Sequence, residues 1–165
     1  MMRRLAFLAP LGAVLAVAAG PALADPASVS VTLGPDLQEK AEELGVRDVR
    51  EQADRLAEVV RRTLARNDGF DGARVDLVLT DLKPNRPTFE QMAHRPGLDG
   101  HRSISIGGAA IEGRITTADG RVLPVRYDWY SHNLAEVRGY TTWQDADRAY
   151  QRLATRLVDG RYLNR

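Results

Sequence analysis

No cysteine occurs among the 165 residues. That excludes disulfides, thiol nucleophiles, Cys-ligated metal centres and the acylated cysteine of bacterial lipoproteins. Lysine is scarce, 2 against 21 arginines, and aromatics make up 6%. No apolar run reaches the roughly 20 residues of a membrane-spanning helix. The longest, Leu5 to Gly20, is also interrupted by Pro10. A G-x-S-x-G elbow, a P-loop and a dinucleotide fingerprint are all missing. With a net charge of only +1, nothing directs the chain to nucleic acid.

What is present begins with Met1-Met2-Arg3-Arg4, the apolar run, and Ala22-Leu23-Ala24. A basic start, a short hydrophobic region and an A-x-A site predict a secretory signal peptide over 1–24, cleaved after Ala24. The style of that signal and the excess of arginine suggest a bacterial, periplasmic or secreted protein. Residues 25–165 carry 21 basic against 22 acidic side chains and suffice for one domain with one core.

The stretch from Arg102 to Tyr130 reads as a long β-hairpin. Ile111, Ile115, Leu123, Val125 and Trp129 share odd parity, with Tyr127, while Glu112, Arg114 and Arg126 are polar; alternation puts the apolar set on one face. A two-residue turn at Asp119-Gly120 would set Asp128 opposite Ile111. A three-residue loop, Ala118-Asp119-Gly120, pairs Ile115 with Leu123, Gly113 with Val125, Ile111 with Tyr127 and Ala109 with Trp129. Burial of one face selects the second register. Ile104 and Ile106 have even parity, so a bulge or bend is expected at Gly107-Gly108.

Elsewhere, Ser28 to Leu33 alternates as a strand, and Pro35 to Leu44 reads as a short helix closed by Gly45. Asp48 and Glu51 have capping-box spacing for a helix buried along Val49, Ala53, Leu56, Val60 and Leu64. Its polar face offers Glu51–Arg55 and Glu58–Arg62 pairs. Arg74 to Leu82 is a second strand, made central by Val78 and Leu82. Thr142, with Asp145 three on, caps a final helix whose stripe is Trp143, Ala146, Tyr150, Leu153 and Leu157.

The segment 83–101 is a long loop, a length that usually marks function or disorder. Thr88-Phe89-Glu90-Gln91 gives it one capped helical turn, with Phe89, Met92 and Leu98 expected to pin it to the body. His94, Asp99 and His101, with Glu90, are zinc-type donors, but their spacing fits no tight ligand pattern, and no metal ligand is assigned. Ser103 and Ser105 lie near His101 without a glycine elbow, and Asp145 and Asp147 do not share a helix face. No catalytic residue and no cofactor are assigned.

The aromatic group Tyr127, Trp129, Tyr130, Tyr140, Trp143 and Tyr150 reads either as the meeting of sheet and last helix or as a groove for a ligand. Opposite parity to Trp129 makes Tyr130 the better contact residue.

In P-T-F-E-Q at 87–91, R-P-G-L-D at 95–99 and S-I-S-I-G-G-A at 103–109, the chain resembles small exported bacterial proteins of unknown function with a strand–helix–meander–helix plan. At fold level it is similar to the N-terminal domain of the Tol translocation propeller protein and to outer-membrane transport auxiliary lipoproteins, though it lacks their acylated cysteine. The resemblance implies a role in envelope assembly or in lipid and polymer transport, and carries over no site residue.

The expected fold is α+β: a two-layer sandwich with a four-stranded, mostly antiparallel sheet, helices on one face, and element order β-α-β-β-β-α. The expected function is a non-enzymatic interaction module of the cell envelope, with an envelope protein as partner. Arg86, His94, Arg95, His101 and Arg102 would rim its loop. The alternative is a carrier of a small hydrophobic or lipid-like ligand, held between sheet and C-terminal helix by Trp129, Tyr130 and Trp143. A second alternative, a metal-dependent hydrolase, requires His94, Asp99 and His101 to converge.

Overall fold

A computed structural model describes residues 27–137 and 141–163. The stretch read as a signal peptide lies outside the described residues, as does Tyr140.

The strands are β1 (Ser28–Leu33), β2 (Arg74–Lys83), β3 (Gly108–Thr116) and β4 (Val122–Tyr130). The helices are α1 (Pro35–Leu44), α2 (Val46–Leu64), α3 (Phe89–His94) and α4 (Gln144–Val158). Strand order is β1-β2-β3-β4. β1 runs parallel to β2, as a crossover through two helices permits, and the other pairings are antiparallel. The fold is therefore α+β with a mixed open sheet.

Parity decides which side is buried. Val75, Leu77 and Leu79 of β2, Ile111 and Ile115 of β3, and Val125 and Tyr127 of β4 are buried on one face. They form a single core with Leu37 and Leu44 of α1, Val49, Leu56, Val60 and Leu64 of α2, and Tyr150, Leu153 and Leu157 of α4. Those side chains fill the space between sheet and α4. The outer face is charged: Asp76 holds Arg74 at 2.9 Å and Arg114 at 3.5 Å, and Glu112 holds Arg126 at 3.1 Å.

The hairpin adopts the three-residue loop, with every pair from Ala109–Trp129 to Ile115–Leu123 in the expected register. Gly120 has φ +84°, which L residues with a Cβ seldom adopt. β3 is shorter than expected. It starts at Gly108, so Ile104 and Ile106 lie outside the sheet. The irregularity foreseen at Gly107-Gly108 falls instead on the facing strand, where register slips between Leu79 and Asp81. Thr80 is the extra residue, and its hydroxyl donates to the Ala110 carbonyl at 3.1 Å. The slip reverses parity, turning Leu82 inward beside Leu79. Gly108 remains obligatory for another reason: a Cβ there would fall 2.2 Å from the Trp129 carbonyl oxygen.

Two helix starts differ from expectation. α2 starts at Val46 behind Gly45, so Asp48 lies inside the first turn and makes no cap bond. α4 starts at Gln144, and neither Thr142 nor Asp145 caps it. On α2, Glu51 pairs with Arg47, which leaves Arg55 to bridge to Asp147 of α4 at 2.7 Å. The expected Glu58–Arg62 pair forms at 2.6 Å.

Candidate functional site

The chain between Lys83 and Gly108 is ordered by polar contacts rather than by an apolar core. Asn85 is fully buried and acts as the hub. Its backbone N–H donates to the Thr142 carbonyl at 2.7 Å, and its carbonyl accepts from Ser105 N–H at 2.9 Å. The side-chain amide donates to the Asp145 carboxylate at 2.5 Å and accepts from Asp145 N–H at 2.8 Å. Asp145, itself fully buried, also receives the Ser131 hydroxyl, and Arg148 lies 3.4 Å away. Ser131 N–H in turn donates to Gly107. Both ends of the loop are thus fastened to the start of α4. Buried polar groups need such partners, since an orphaned one costs about 1–3 kcal/mol.

Within this frame Thr88 and Gln91 form the expected capping box, each bond 3.2 Å long, and give α3 its single turn. Arg86 reaches across to the carbonyls of Gly100 (3.2 Å) and His101 (2.5 Å). Asp99 accepts the N–H groups of His101 and Arg102 at 2.7 and 2.8 Å. Those two bonds hold its carboxyl below the usual range.

The framed loop walls a surface groove of about 550 Å³, lined by Asp48, Pro87–Phe89, Met92, Asp99–His101, Thr142 and Trp143. Phe89 does not pin the loop. It is 85% exposed, at the first position of α3, on the groove's rim. Met92 and Leu98 are half-buried. Asp48 is a half-buried carboxylate with no hydrogen-bond or ion-pair partner among the described residues. Burial first, then the charge of Glu51, pushes it above its ordinary value, against the opposing pull of Arg47.

The site residues expected from sequence divide into three groups. His101 and Trp143 meet in the groove. Arg86, Arg95 and His94 are engaged locally: Arg86 with loop carbonyls, Arg95 with Glu43 at 2.7 Å, and His94 with Glu90 at 3.2 Å. Arg102 is exposed. Trp129 and Tyr130 are elsewhere. Trp129 lies under the Arg152 guanidinium at 4.3 Å, and Tyr130 donates to Asp81 at 2.8 Å from the outer face. Among the described residues, no three His, Cys, Asp or Glu side chains are grouped as a metal site.

Sequence reasoning missed Asn85, Asp145 as its partner, and Asp48. Pairings across 60 residues have no periodic signal, although Asn85 between Pro84 and Arg86-Pro87 marked a constrained turn. No family model matches the chain, and a search of curated proteins finds no match.

Proposed function

We propose that the chain is a non-enzymatic interaction module of the bacterial envelope, exported by its N-terminal signal, which docks a partner protein in the groove beside Phe89. The observation that carries this reading is a large aromatic left 85% exposed on a loop that a buried polar hub ties to the start of α4. Exposed apolar surface beside a groove, rimmed by polar groups, is what a docking site requires. An apolar side chain of the partner would seat against Phe89, Met92 and Trp143, with a basic neighbour near Asp48. The carrier alternative has less support, because core side chains occupy the space between sheet and α4.

Phe89→Ala tests the proposal. The exposed position predicts a stability change within about 0.5 kcal/mol, while loss of a central aromatic anchor costs about 2 kcal/mol or more of binding. Unchanged thermal unfolding with loss of the co-purifying partner is the expected result. Retained binding would remove Phe89 from the account.

A further inference from the structure

A second surface, independent of the docking groove, lies where α4 crosses β4. Arg148, Arg152 and Arg156 follow at four-residue steps on α4, a spacing at which like charges repel. Arg148 is balanced by Asp145. Arg152 and Arg156 have no carboxylate in ion-pair contact among the described residues. Each lies instead over an aromatic ring of β4: the Arg152 guanidinium carbon is 4.3 Å from the Trp129 ring centre, and that of Arg156 is 5.5 Å from Tyr127. Stacking engages the face of a guanidinium and leaves its N–H edge for an oxyanion. Arg156 donates one N–H to the Leu163 carbonyl at 3.0 Å, which fixes its plane further. Arg152 makes no hydrogen bond among the described residues. The two arginines line a surface groove of about 470 Å³ with Tyr127, Gln151, Thr155 and Arg161.

Of the carboxylates nearby, Asp159 is engaged by Arg161, Asp147 by Arg55 and Gln151, and Asp128 acts on the same Tyr127 hydroxyl as the two arginines. Two oriented guanidiniums without an ion-pair partner among the described residues, in one concavity, form a fork that matches the oxygens of a phosphoryl group.

We propose that this groove binds a phosphate-type oxyanion, held edge-on by Arg152 and Arg156 above Trp129 and Tyr127. The anion is either free phosphate or the headgroup of an acidic lipid.

The test follows the two tryptophan indole N–H signals of the wild-type protein by NMR. Sodium phosphate is titrated against sodium chloride at matched ionic strength. The expected result is a saturable shift of the Trp129 signal with phosphate alone, weakened roughly tenfold or more in Arg152→Gln and Arg156→Gln at unchanged circular dichroism. A parallel arm measures flotation with phosphatidylcholine vesicles, with and without phosphatidylglycerol. Binding to the acidic vesicles that both substitutions abolish, without a response to free phosphate, assigns the site to a lipid headgroup. A Trp129 response equal in chloride with no binding to acidic vesicles, or binding that survives both substitutions, overturns the proposal.

Discussion

Burying a phenylalanine side chain is worth about 1.5–3 kcal/mol, and the fold forgoes that at Phe89. A single exposed apolar residue is ordinary. Phe89 differs because its backbone is fixed by the Thr88–Gln91 capping box and its neighbours Met92 and Trp143 line the same groove. Asp48 adds a second departure. A carboxylate in the first turn of α2 is favoured by the helix dipole, yet burial and Glu51 drive its pKa up. A folded-state value above the unfolded one means the native state holds the proton more tightly. Stability therefore falls as pH rises through and beyond the ordinary carboxylate range. Asp48→Asn is expected to be more stable than wild type at neutral pH and to converge with it in acid, in urea unfolding at a series of pH values. A wild type more stable at neutral pH would show that the dipole outweighs desolvation.

Among the elements, the loop carrying α3 is the one whose order depends on a few atoms. Asn85→Ala removes the amide bonds to Asp145, leaving that buried carboxylate with Ser131 and Arg148. The expected cost is about 2–4 kcal/mol, read by urea unfolding. Amide exchange should quicken across 86–105, and partner binding should weaken although Phe89 is intact. Exchange unchanged in that segment would contradict the hub. The same element shows what the sequence could convey. The Thr88–Gln91 capping box and the hairpin register were legible, because both rest on contacts between near neighbours or on strict alternation. The Thr80 bulge was not. Parity at Ile104 and Ile106 signalled an irregularity, but those residues precede β3, and the slip lies on β2, where it turns Leu82 inward. Asn85 and Asp145 were illegible as partners, since a pairing across 60 residues between polar side chains leaves no pattern in either segment. Phe89 was misread because apolar character predicts burial only on average.

Across the whole molecule, the sheet is covered on one face and charged on the other, and one cluster joins α1 to β2 and β4. Asp81 of β2 is held by Lys40 of α1 at 3.1 Å and by the Tyr130 hydroxyl of β4, with Lys83 over the Tyr130 ring at 4.7 Å. Burial pushes the Asp81 carboxyl up, but the hydrogen bonds from Tyr130 and Lys40 outweigh it and leave the pKa below its ordinary value. The depressed group contributes stability above the unfolded carboxylate pKa, lost as pH falls through the folded one. Asp81→Asn is expected to lose part of the neutral-pH stability and to show a shallower acid limb. An acid limb unchanged by the substitution would show that other carboxylates govern acid unfolding.

The central claim is that the rim of the 550 Å³ groove is where a partner docks. It is tested most directly by placing a photo-reactive benzoylphenylalanine at position 89 and irradiating intact cells that make the protein. Position 122, where Val122 is 60% exposed on β4, provides the control. The account predicts one discrete protein adduct from position 89, absent from position 122 and lost when Asn85→Ala is combined with the probe. No adduct at 89, or the same adducts from both positions, would contradict it.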